Sequence, residues 1–189
     1  YVRTPALYYF SSLLAEQGIP SVVCGTTNRD EGAYIGFFGK ASDAMVDIQI
    51  ISDIHKSEVY QMAELLGVPQ SVIDADPSGD VYDGRIDVEM IGAPYDAVEL
   101  YMHFLCDSPE GQRAFEATLD DQSRAEFKRY RDAIEEIHAK NAHKYIGDSP
   151  AIHLDIFERA VPGGWRGPPI EKRLAEQLRS DPIYRAALP

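Results

Sequence analysis

Apolar and polar positions alternate along the chain in a way that separates helices from strands. Leu7, Phe10, Leu13 and Leu14 recur at helical spacing, and Gly18 with Pro20 ends the run. Thr4-Pro5 reads as the start of that helix, with a hydroxyl cap followed by proline at the first helical position. Ser21-Val22-Val23-Cys24 is a short apolar β-type run that stops at Gly25. A helix feeding a buried strand is the unit of a parallel α/β sheet. Val46-Asp47-Ile48-Gln49-Ile50 alternates strictly, which predicts an extended segment with Asp47 and Gln49 on one side.

Residues 55–66 read as a helix closed by Gly67 and Pro69, with Val59, Met62, Ala63, Leu65 and Leu66 inward. The stretch from Asp74 to Arg85 is rich in Asp, Gly, Pro and Ser, so a loop is expected there. Two further helices are expected from about Pro94 to Cys106 and from about Ser123 to Ala142. The second carries charge on most faces and reads as largely solvent-exposed. Residues 162–169, Pro-Gly-Gly-Trp-Arg-Gly-Pro-Pro, form a break before a short helical tail. The expected division is a domain over residues 1–160 and a linker with that tail over 161–189.

Composition narrows the function classes. The 189 residues, 44% hydrophobic and 26% charged, suit a globular protein with a real core. A net charge of -13 argues against a general nucleic-acid surface, which needs clustered Lys and Arg. It still permits a small phosphorylated ligand held by a few cations. No apolar run approaches the ~18 residues of a membrane helix. Cys24 and Cys106 lack metal-ligand spacing and are expected as buried thiols in a reducing compartment, the cytoplasm. The chain begins at Tyr1 and reads as the interior of a longer polypeptide.

Three segments carry candidate chemistry. Gly25-Thr26-Thr27-Asn28-Arg29-Asp30-Glu31 follows a predicted strand, where ligands of open α/β sheets bind. It fits either a nucleotide loop with Glu31 on a metal, or a capped turn with Asn28 or Asp30 as cap. Phe37-Phe38-Gly39-Lys40 leads to Asp43 and Asp47. Ser52-Asp53-Ile54-His55-Lys56 opens a helix, and a lysine there opposes the helix dipole unless an anion is also present. Lys56 is therefore either a phosphate ligand or a solvated lysine paired with Asp53.

The order and spacing of these segments, continuing through Pro77-Ser78, Asp87 and Gly92-Ala93-Pro94-Tyr95-Asp96, resemble NAD synthetases. The resemblance implies an α/β fold of the adenine-nucleotide α-hydrolase, Rossmann-like type: a parallel sheet with flanking helices, its N-terminal strands missing, and a helical C-terminal extension. It implies ATP-dependent amidation of deamido-NAD through an acyl-adenylate, with Mg²⁺, in a cytoplasmic homodimer; the attacking ammonia comes either free from solution or from a glutaminase domain. By the same resemblance Thr26, Lys56 and Ser78 contact ATP, and Glu31 is a magnesium carboxylate. Arg3, Lys40, Asp47, His143 and Lys144 contact deamido-NAD. Neither a protein nucleophile nor a nucleic-acid or membrane partner is implied. The family's pyrophosphate loop, Ser-Gly-Gly-x-Asp-Ser, does not occur in the 189 residues. Tyr145-Ile146 replaces the arginine that usually follows the His-Lys pair. Other ATP pyrophosphatases, or a non-catalytic nucleotide-binding and dimerising domain, are the alternative readings.

Overall fold

A computed structural model describes residues 2–79, 84–145 and 152–153. Helix α1 (Arg3–Glu16) leads into strand β1 (Cys24–Gly25), a π-helical turn (Glu31–Ile35) and strand β2 (Ile48–Gln49). Helices α2 (Lys56–Leu65), α3 (Gln70–Ile73), α4 (Asp87–Ile91), α5 (Tyr95–Cys106), α6 (Pro109–Thr118) and α7 (Asp121–Asn141) follow. A 3₁₀ turn (Ala142–Tyr145) precedes strand β3 (Ile152–His153). All pairing is parallel in the order β1-β2-β3, with Cys24 opposite Ile48 and Ile48 opposite Ile152. The expected α/β architecture is present, as a small parallel sheet flanked by helices. The expected tail helix after residue 169 lies outside the described residues.

The main core joins the π turn to α4, α5 and α7 through Ile35, Ile91, Val98, Met102, Phe127 and Ile134. Burial of Phe127, Ile134, His138 and Asn141 gives α7 one inward stripe despite its many charges. At the far end of α7 three side chains satisfy three successive carbonyls of the π turn. His138 Nδ1 donates to Tyr34 O (2.7 Å), Asn141 Nδ2 to Ile35 O (2.9 Å) and Lys144 Nζ to Gly36 O (2.7 Å). Gly36 closes that turn at φ 63°, a left-handed conformation that suits glycine.

Several sequence expectations need correction. Thr4 is not a cap: it lies inside α1, and its hydroxyl donates to Ser42 O instead. Pro5 therefore occupies the first turn, where a missing N–H costs nothing. The apolar side of α2 is only partly inward: Val59 and Ala63 are half-buried, while Met62 is exposed and Leu65 and Leu66 are 88% and 77% exposed. Both cysteines are exposed rather than buried. Helix α6 was legible but unread: Ser108 accepts from Gly111 N ahead of Pro109, a capped start with proline at the first position. On α1 and its exit, Leu7, Phe10, Leu14, Ile19 and Val22 are also exposed. Tyr8 is the side chain of α1 that packs on Val23 and Val46.

Candidate functional site

The loop that leaves β1 is held open by glutamine rather than by bulk. Gln49 on β2 accepts from Thr27 N (3.3 Å) and donates to Asp43 O (2.5 Å). A Cβ on Gly25 would stand 2.3 Å from Gln49 Oε1, so only glycine lets the two strands approach this closely. The loop then buries Thr27, Asn28, Arg29 and Asp30, while Thr26 stays exposed. Asn28 Oδ1 accepts from Glu31 N, which makes Asn28 the cap of the turn.

Four residues converge beyond this loop. Lys56 Nζ lies 3.2 Å from Glu31 Oε1 and 4.9 Å from the centre of the Tyr95 ring. The Tyr95 hydroxyl reaches both Glu31 Oε1 (3.2 Å) and Asp87 Oδ2 (2.8 Å). Asp87 is buried, and its Oδ1 has no hydrogen-bond partner among the described residues. Burial pushes the Glu31 carboxyl above its ordinary range, against the opposing pull of Lys56, Asn28 and Tyr95. Burial, with Glu31 and Asp87 alongside, raises the Tyr95 phenol too, so it stays a hydrogen-bond donor.

The first turn of α2 is anchored separately. The fully buried Asp30 takes His55 Nδ1 and the Lys56 backbone N–H, each at 2.6 Å. His55 N donates to Glu58 Oε2 at 2.8 Å, one half of a capping box. The expected pairing of Lys56 with Asp53 is thus corrected. Asp53 forms a buried pair with Arg29 (3.2 Å), and Glu31 takes the lysine. The anions that a lysine at a helix start requires are the protein's own.

A second group gathers around the 39–47 loop. Arg3 pairs with Asp43 at 2.8 Å, and Asp43 Oδ2 accepts from Gly39 N. Asp47 is held by Val23 N (2.7 Å) and by the Tyr8 hydroxyl (3.2 Å). Lys144 lies 5.5 Å from the Phe38 ring, with burial lowering its pKa and Asp43 opposing that. Lys40 and His143 are exposed, and His143 Nδ1 meets Lys140 O. Ser78 is exposed beside Pro77, whose carbonyl accepts from Asp87 N (2.8 Å). So Glu31 and Lys56 touch, Arg3 and Lys144 flank Asp43, and Thr26, Ser78, Lys40 and His143 stand on surface loops and turns. From sequence Asp30 reads only as a possible cap, and Asp87 and Tyr95 have no role; the bonds of Asp30 to His55 and Lys56 and of Tyr95 to Glu31 span 25 or more positions and leave no local trace.

Glu31 offers one hard carboxylate. Its Oε2 accepts a 3.3 Å bond from Asn28 N and keeps lone pairs for a cation. That suits a magnesium ion that retains waters and takes its remaining oxygens from phosphates.

The family model described as NAD synthase matches residues 2–146. The NH(3)-dependent NAD(+) synthetase of Thermoplasma volcanium is 32% identical over 130 residues, covering 68% of this chain and 51% of that protein. That of Syntrophomonas wolfei is 36% identical over 109 residues, covering 58% and 41%. The chain thus spans about half the length of the curated relatives it matches. Among solved structures, the NMN synthetase from Francisella tularensis superposes with a TM-score of 0.57 at 24% identity, over 76% of this chain and 50% of that one. That likeness establishes the fold.

Proposed function

The chain belongs to the NAD synthase family, and on that premise we propose that it is the C-terminal part of an ATP-dependent enzyme that amidates deamido-NAD. The observation that carries this reading is the contact of Lys56, at the start of α2, with Glu31 beyond the end of β1. One cation and one carboxylate beyond the end of a strand support a nucleotide site there, because ligands of open α/β sheets bind at such ends.

In the proposed reaction a carboxylate oxygen of the nicotinate attacks the α-phosphorus of ATP, and pyrophosphate leaves. The nitrogen of ammonia then attacks the acyl carbon, and AMP departs with the carboxylate oxygen. Lys56, Thr26 and Ser78 hold ATP, and Lys56 offsets negative charge on the phosphates as pyrophosphate separates. Glu31 would supply one ligand to Mg²⁺, whose charge would neutralise phosphate oxygens. Arg3, Lys40, Asp47, His143 and Lys144 hold deamido-NAD around the 39–47 loop. Catalysis of this kind is positioning and charge stabilisation, without a protein nucleophile. Ammonia as the nitrogen source is supported by the names of the relatives.

The same reading includes a Ser-Gly-Gly-x-Asp-Ser loop elsewhere in the polypeptide, and a homodimer. The exposed apolar side chains of α1 support burial against further protein. The test is NAD⁺ formation by the intact gene product from deamido-NAD, Mg-ATP and ammonium, with AMP and pyrophosphate released in equal amounts. ATP hydrolysis without NAD⁺, or amidation of a different acid, would overturn the reading. A monomer by light scattering at micromolar concentration would overturn the dimer.

A further inference from the structure

We propose that His55, Glu99 and His103 form a site for a borderline divalent transition ion such as Zn²⁺, distinct from the Glu31 position. Asp30, His55 and Glu99 each present a donor atom, and these atoms lie within 4.8 Å of one another. His55 is the independent pointer. Its side chain is 5% exposed, yet Nε2 meets no hydrogen-bond partner among the described residues. Nδ1 stands 2.6 Å from Asp30 Oδ1, so Nε2 is the ring nitrogen left to meet an ion. A metal-bound histidine is oriented in this way, its second ring nitrogen donating to a carboxylate behind it.

Glu99 lies on α5 and is itself oriented, by Ser57 N (2.9 Å) and Ser57 Oγ (2.8 Å). Each carboxylate oxygen keeps a lone pair after accepting one bond. His103 follows four residues later on the same helix, hence on the same face. Its ring centroid lies 5.3 Å from that of His55. Because His103 is exposed, an ion has a path from solvent to the buried imidazole. Two imidazoles and one carboxylate select zinc, cobalt or nickel over magnesium, which prefers oxygen ligands alone. The bound ion ties the first turn of α2 to α5, one residue away from Lys56.

Titration of the metal-free intact gene product with Co²⁺ and Zn²⁺ tests this, followed by visible absorption, calorimetry and thermal melting. One equivalent should bind, with cobalt d–d bands and a Zn²⁺-dependent rise in Tm, undisturbed by millimolar Mg²⁺. His103→Gln is a surface change that should melt like the parent without metal. His103→Gln and Glu99→Gln should each weaken Zn²⁺ binding at least about tenfold, the loss that an outer partner alone produces. His55→Gln should abolish the cobalt bands. Absence of saturable binding, or unchanged affinity in both His103→Gln and Glu99→Gln, overturns the proposal.

Discussion

The carboxylate of Asp30 stands 2.6 Å from the backbone nitrogen of Lys56, so a loop from one strand fixes the first turn of the helix that carries the site's lysine. The other oxygen of Asp30 holds His55. Asp30→Asn would turn an amide N–H toward one of two donors. The expected cost is about 1–3 kcal/mol, from a buried donor left unmatched. Urea denaturation measures it; a change under about 0.5 kcal/mol would show that α2 is held by packing alone.

Lys56→Ala tests both the site and its energetics. A lysine in a first helical turn opposes the dipole, but Glu31 outweighs that here. Glu31 would lose its ion-pair partner while remaining mostly buried. Destabilisation of about 1–3 kcal/mol is therefore expected, largely recovered in Lys56→Ala/Glu31→Gln. In the intact enzyme, kcat/KM for ATP should fall roughly 10- to 150-fold through lost charge-assisted bonds. Lys56→Arg should not restore it, because a planar fork replaces a compact ammonium. A change under about threefold in every kinetic constant would remove Lys56 from the site.

Glu31 predicts a pH dependence of stability. Its carboxyl is raised in the fold, chiefly by burial, so ionised Glu31 weakens the folded state. That loss is complete above the folded pKa and vanishes below the unfolded value of ~4.3. Glu31→Gln should therefore melt higher than the parent at neutral pH, with the gap closing as pH falls. Thermal melts between about pH 4 and 8 suffice to check the sign. A gap that widens toward acid would contradict the assignment.

Gly25→Ala places a methyl carbon 2.3 Å from Gln49 Oε1, in a spot where Gln49 is almost fully buried. Glutamine must swing away, and Thr27 N and Asp43 O then lose their partner. Destabilisation of about 1–3 kcal/mol is expected from overpacking. Gly25→Ala combined with Gln49→Ala should recover part of it. If the double variant is as unstable as the sum of the two singles, the clash is not the cause.

Much of the fold was written locally. The helices expected from about 94 to 106 and from about 123 to 142, and the alternation at 46–50, match α5, α7 and β2 to within a few residues. These elements are set by nearest neighbours, caps and periodicity, which a sequence displays directly. The order of Gly25, Glu31, Lys40, Lys56 and Ser78 carried the family resemblance, and a family match over residues 2–146 followed.

Partnership was decided only by the tertiary structure. Lys56 has Asp53 three positions away but bonds Glu31, 25 positions away, because Arg29 has already taken Asp53. Leu65 and Leu66 read as inward by period, yet both stay exposed in the fold. In the sequence Lys144 stands out only through the family resemblance, and His138 and Asn141 carry no expectation. The three bond the carbonyls of Tyr34, Ile35 and Gly36, more than 100 positions earlier, where α7 and the turn after it cross the π turn. Period and capping are short-range forces and are written in the chain. Which carboxylate meets which cation depends on distances that exist only after the sheet and helices have packed.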